Sequence, residues 1–277
     1  MATVQEVITW LASRDEGVGR QPELIQGDAD AQVEAVVVAW SANMDVLREA
    51  GERFGACLVL TRTDPTYAPP VGFDPAIVPD RSDWQKVVGD DPVVQTKNAY
   101  AEEHRIALAA APWLWDLPTP QTRSLALAER IGLGEPSEAN PLVVRLGETM
   151  TTAELARTAA RAVGTSHSLV VGDPSTTVRR VAVVAGMCEP FDIAGIVNDP
   201  QVDAVIAGEA VEWEAVPFVQ DINQTGRRLC LVALGNAVSE NPATVTLAVQ
   251  LSGDDPPVQV VPIEVAEPAS AVRKVVA

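Results

Sequence analysis

Positive charge, histidine and paired cysteines are all scarce in this chain. Lys and Arg number 20 against 38 Asp and Glu, a formal net charge of −18, and there are two histidines in 277 residues. A body so acidic repels phosphate backbones and anionic lipid, and no basic stripe offsets it, so neither nucleic acid nor a membrane is expected as a partner. No apolar run approaches the length of a membrane span, and the opening MATVQEVITW lacks the basic and apolar regions of a signal peptide. A cytoplasmic protein is the expectation. Cys57, Cys188 and Cys230 stand far apart, in or at the end of apolar segments, with no CxxC pair; they read as small core hydrophobes rather than as metal or redox groups. GxGxxG, GxxxxGK[ST] and GxSxG are also missing, so phosphate-cradle and hydrolase-elbow chemistry find no support.

What is present is an alternation of two hydrophobic periods. Val4, Val7, Ile8 and Leu11 fall on one helical face. EAVVVAW (34–40) is then a short continuous apolar run, followed by a helix-like stretch from Asn43 to Phe54 and a second run, ACLVL. Apolar strands without alternation, separated by helices, predict an α/β fold whose sheet is covered on both faces. Further along, 106–116 predicts a strand running into a loop, and 121–131 a helix stopped by Gly132 or Gly134. Thr151 and Glu154 have capping-box spacing ahead of LARTAARAV. Strands are expected at SLVVGD, RRVAVVAGM, VDAVIAGE, RRLCLVALG and PVQVVPIEV. The polar, proline-bearing EPSEANP (135–141) suggests two α/β lobes, 1–134 and 135–277, with the chain crossing between lobes near its C-terminus.

In open α/β sheets polar groups gather where strands end. Here one strand exit carries Thr63, Asp64 and Pro65, a second carries Asp116 in PWLWD, and a third carries Asn236 and Glu240, four apart and on one face if the segment is helical. Carboxylates brought together from separate loops repel unless a cation sits among them, and a hard divalent ion would serve. The plainer reading is that each faces solvent or caps a helix.

At these residues the chain resembles the NIF3-like (DUF34) family, nearly end to end. Family members show a His-His-Pro step after the second strand, an HTxLD segment after the next, a GSG…DVxxTGE region and a late GHxxxE segment. The corresponding stretches here are Thr63-Asp64-Pro65, Pro112 to Asp116, Gly186 with Asp203 to Glu209, and Gly235-Asn236 to Glu240. The resemblance implies two α/β/α lobes, a homo-oligomer (a toroidal hexamer) and a two-metal centre. Of the family's metal ligands it carries over Asp116 and Glu240, while Thr63, Asp64 and Asn236 stand where the family has histidines. Oxygen donors suit Mg, Mn or Ca better than Zn or Fe, so at most one hard divalent ion is expected at Asp64, Asp116, Glu240, Asn236 and Thr63, or none.

His104, beside Glu102 and Glu103, and His167, ahead of a strand, do not restore the lost ligands. Glu212, Trp213 and Glu214 replace a histidine-bearing helix start seen in relatives. Trp113, Trp115 and Trp213 read as core or interface packing. VVGDPSTTV (170–178) reads as a turn. The long proline-rich stretch 64–92 suggests a lid or a subunit contact. Two functions follow from the resemblance: a noncatalytic or weakly active scaffold or ligand-binding protein with a degenerate metal centre, its old cavity used for a small ligand or for nothing, or a metal-dependent hydrolase in which an ion on Asp64, Asp116 and Glu240 activates water.

Overall fold

In the computed structural model the described residues are 1–15, 19–67, 81–138, 140–197 and 201–267. They form two units. The first comprises Met1–Leu117 and Thr244–Val265; the second comprises Pro118–Ala243 with, among the described residues, Ala266 and Glu267. The chain passes from the second unit back to the first within one helix, Asn236–Gly253, which contains Pro242.

The first unit is built on a five-stranded sheet in the order Gln259–Ile263, Ala35–Ala39, Cys57–Thr61, Ile106–Ala110, Glu23–Gln26. The first four are parallel and the last is antiparallel. Ala35–Ala39, Cys57–Thr61 and Ile106–Ala110 are buried at every residue, which is why their sequences are continuously apolar rather than alternating. Asn43 caps the helix Met44–Phe54 by accepting from Val46 N–H, and Gly55, at φ 63°, ends it. The helix Pro92–Glu103 starts on an Asp91 cap with Pro92 in its first turn.

The second unit's sheet runs Val143–Thr151, Thr177–Cys188, Ala204–Ala210, Cys230–Ala233, Leu169–Val171, with the three central strands parallel and both edges antiparallel. Alternate residues of the central strands enter two separate cores. Val181, Val183, Ala204, Ile206, Cys230 and Val232 pack with the helices Thr122–Ile131 and Thr152–Val163. Ala182, Val205, Ala207, Leu231 and Ala233 pack with Pro190–Val197 and Ala215–Gln224. A sheet clothed on both faces is the α/β/α arrangement. The Thr151–Glu154 capping box is formed, and Gly132 and Gly164 end their helices in the left-handed region.

Several features depart from the sequence-based expectations. The helix Thr122–Ile131, placed with the N-terminal half on sequence, packs within the second unit. Pro112–Asp116 is a short 3-10 helix rather than a loop, its turn burying Trp113 and Trp115. The strands Glu23–Gln26 and Val143–Thr151 carry no continuous apolar run because they are half-exposed edges. Of the proline-rich stretch 64–92, residues 68–80, and with them the suggested lid or subunit contact, lie outside the described residues; 81–88 is helical. No helix among the described residues is long and apolar enough to cross a membrane.

Candidate functional site

In the first unit, the strand Cys57–Thr61 delivers Thr63 and Asp64 to the carboxyl edge of the sheet. Thr63 is tied to the neighbouring strand exit: its N–H and its hydroxyl both donate to the Trp40 carbonyl, at 3.1 and 3.2 Å. Asp64 closes a tight turn, its Oδ1 accepting from the Thr66 N–H at 2.7 Å and from the Thr66 hydroxyl. Behind the turn stands Lys97, on the helix Pro92–Glu103 and only 2% exposed. Its ammonium donates to the Pro65 carbonyl at 2.6 Å and lies 4.1 Å from the Tyr67 ring centroid. Burial pulls its pKa from 10.5 down to about 8, against the Asp64 carboxylate, which raises it.

Asp116 ends the 3-10 helix on the next strand exit, and its charge helps to raise the pKa of Arg20. The larger influence on Arg20 is Asp15, which its guanidinium meets at 2.8 Å and whose own pKa is lowered chiefly by that hydrogen bond. Arg20 also lies over the Trp113 ring, 5.0 Å from its centroid. Trp115, fully buried, donates to the Thr244 hydroxyl at 3.0 Å.

In the second unit, Glu240 is 1% exposed, and its Oε1 meets Arg123 Nη1 at 3.1 Å. Arg123 also donates to the Ala185 carbonyl, and the Ala185 N–H donates to the Ser124 hydroxyl. One residue on, the Gly186 N–H donates to Ser239 Oγ at 3.0 Å, and that hydroxyl donates to the Asn236 carbonyl. Gly186 has φ +82°, and a Cβ there would strike Glu240 Oε1. At Gly208 a Cβ would meet Ser239 Oγ and the Gly186 carbonyl. The two glycines are therefore the condition for seating the start of the helix Asn236–Gly253 against the strand ends. The Asn236 amide donates to Glu209 at 3.0 Å.

Of the five residues expected on sequence, Thr63, Asp64 and Asp116 thus belong to the first unit and Asn236 and Glu240 to the second. Within either unit, no group of three or more His, Cys, Asp or Glu among the described residues is placed to hold a metal ion. Of the three carboxylates, Glu240 meets a cation directly, Arg123 on its Oε1; Asp64 acts on Lys97 through its charge, and Asp116 is the smallest of the influences on Arg20, whose bonded partner is Asp15. A divalent ion fits this donor set poorly, since Glu240 Oε1 is held by Arg123, Asp64 Oδ1 accepts from Thr66, and the charges of Lys97 and Arg20 act on Asp64 and Asp116. Lys97 and Arg123 escape sequence reasoning because QTKNAY and PQTRSL look like solvated helix positions; nothing in the local pattern marks either as reaching a carboxylate.

His104 caps the helix Pro92–Glu103, stacked on Tyr100 at 3.9 Å with Nδ1 against the Tyr100 carbonyl, and is not a merely solvated residue; His167 is exposed. The three cysteines are free and buried, and burial pushes the thiols of Cys57 and Cys188 up to about 12. Trp213 is 80% exposed and does not pack into a core. In the 170–178 segment Asp173 accepts from the Ser175 N–H and hydroxyl, a turn as expected.

Solved structures with the same fold include Staphylococcus aureus protein SA1388 (TM-score 0.68, 14% identity, covering 98% of this chain and 99% of that one). A Bacillus cereus protein related to NIF3 matches at TM-score 0.67 and 13% identity, over 98% and 99% of the two chains. Protein ybgI, described as of unknown function, matches at 0.65 and 20%, over 96% and 100%. No curated protein matches the sequence. The family model for Duf34/NIF3 (NGG1p interacting factor 3) matches residues 88–268, well over half of the chain, and the chain belongs to that family.

Proposed function

We propose that this NIF3-family chain carries a degenerate metal centre whose cationic role has passed to its own side chains, leaving a noncatalytic or weakly active scaffold that binds ligands. The observation that carries this reading is the ion pair of the buried Glu240 carboxylate with Arg123, supported by the weaker influence of Asp64 on Lys97 and of Asp116 on Arg20. A divalent ion at these carboxylates would have to displace or lie beside a fixed positive charge, which lowers its affinity. Family resemblance further supports a cytoplasmic homo-oligomer, with a hexamer as the expected assembly, which sedimentation would check. The competing reading is a metal-dependent hydrolase with an oxygen-rich site of Asp64, Asp116 and Glu240.

Elemental analysis of untagged protein, as purified and after soaking in Mn²⁺ or Zn²⁺, separates the two. The scaffold reading expects far less than one ion per chain and no thermal stabilisation by metal. Near-stoichiometric metal that Asp116→Ala loses would overturn it and establish the hydrolase reading as the one to pursue.

A further inference from the structure

Past the strand ends of the second unit, two of the chain's largest apolar side chains stand in water: Phe191 at 85% exposure and Trp213 at 80%. They leave the sheet side by side. Cys188 and Ala210 are register partners on parallel strands, the Val211 N–H donates to the Cys188 carbonyl, and Phe191 and Trp213 each lie three residues farther on. Between the helices that follow, Pro190–Val197 and Ala215–Gln224, an open groove is lined by Phe191, Pro217 and Phe218 together with Glu189, Glu214 and Asp221. Exposed aromatics in a groove edged by charge mark a contact surface rather than scattered surface residues.

The charge is of one sign. From Val181 to Gly226 the sequence has no Lys, Arg or His and eight Asp and Glu. Glu189, Glu209, Glu212, Glu214 and Asp221 are all exposed. Two copies meeting face to face through this surface would set like charges against each other. The chain's own arginine-lined groove, at Arg145, Arg179 and Arg180, includes no exposed large apolar side chain that could fill the space between Phe191 and Phe218. The complement needed is cationic and apolar at once.

We propose that this face docks a segment of another protein in which Arg or Lys alternates with large apolar residues. The apolar side chains lie in the groove against Phe191, Pro217 and Phe218. The cations meet Glu189, Glu212, Glu214 and Asp221, and an Arg stacks on the Trp213 indole. The inference does not depend on the fate of the metal centre.

The test is fluorescence anisotropy on the full chain with a labelled synthetic peptide of alternating Arg and Leu, beside its Glu-Leu counterpart. Binding of the basic peptide alone is expected, and Phe191→Ser and Trp213→Ser, which keep the net charge, should each weaken it about tenfold. Glu212→Gln with Glu214→Gln should weaken it and flatten its salt dependence. Both aromatic positions are exposed, so circular dichroism should be unchanged. Equal binding to native chain and to the Phe191→Ser, Trp213→Ser double variant would mean general attraction to an acidic body and would overturn the proposal. So would no binding at all, or an oligomer that Trp213→Ser dissolves, which would assign the face to a second copy.

Discussion

Replacing Lys97 with methionine tests the energetics of the first unit's edge directly. Burial lowers the lysine pKa from 10.5 to about 8. At about 1.4 kcal/mol per tenfold change in proton affinity, that lowering means that the charged form costs about 3 kcal/mol more in the folded chain than in the unfolded one. Methionine has similar volume and no charge, but it leaves the Pro65 carbonyl without its donor, a loss of about 1 kcal/mol. Lys97→Met should therefore be more stable at pH 7 by about 2 kcal/mol.

The sign with pH follows from proton counting. Between about 8 and 10.5 the unfolded chain keeps a proton that folded Lys97 has lost, so native stability rises with pH across that window and the advantage of the variant disappears. Above about 10.5 the variant should be slightly the weaker. Urea unfolding of both proteins at pH 7, 9 and about 10.5 reads the difference. Tryptophan fluorescence is the suitable probe, because Trp10, Trp40, Trp84, Trp113 and Trp115 lie in the first unit and only Trp213 in the second. Buried thiols Cys57 and Cys188 lower stability above pH 9, but equally in both proteins, so the difference cancels them. A variant that is less stable than the native chain by a constant amount at every pH would refute the reasoning. It would mean that Asp64, Tyr67 and Pro65 together outweigh desolvation.

Arg123→Met leaves the buried Glu240 carboxylate without its guanidinium and should destabilise the second unit by about 2–4 kcal/mol; adding Glu240→Gln should recover most of that, as hydrogen exchange of the strand Thr177–Cys188 would show. Gly186→Ala places a Cβ against Glu240 at φ +82° and should cost about 2–4 kcal/mol, whereas Gly195→Ala, with open space and ordinary φ on a helix, should gain about 0.5–1 kcal/mol in thermal melts. Native protein should react with a thiol reagent such as dithionitrobenzoate only as fast as it opens, and all three thiols should appear at once in denaturant; a rapidly titrating thiol in the native state would contradict their burial.

The parts of the fold legible in sequence are those where local pattern and tertiary environment agree. AVVVA and CLVLT are apolar throughout because both sides of those strands are covered, and TTAE reads as a helix start because Thr151 and Glu154 satisfy each other within four residues. The parts that were not legible are those in which distant chain decides the environment. Val143–Thr151 is a strand because it pairs with Thr177–Cys188, although Arg145 and Glu148 break its apolar run. Lys97 looks like a solvent-facing helix residue until Pro65 and Tyr67, some thirty residues earlier, cover it. At the candidate site, sequence gave the positions of the carboxylates but not their neighbours, and the neighbours determine the chemistry.

That distinction bears on the proposed degeneration of the metal centre. Removing neutral imidazole donors and keeping carboxylates leaves uncompensated negative charge, which costs heavily wherever it is buried. The charge can be met by a hard ion or by side chains, and side chains have the advantage that they are always present at full occupancy. Glu240, at 1% exposure, illustrates the side-chain route most plainly: Arg123 meets its Oε1 and also binds the Ala185 carbonyl, so the pair fastens the start of the helix Asn236–Gly253 to a strand end. Placing an ion on Glu240 Oε1 would require breaking a contact that helps hold the fold together. On the proposed reading Asp64, Asp116 and Glu240 serve the scaffold, and the surface to probe first for a ligand is that of the exposed aromatics beyond the second unit's strands.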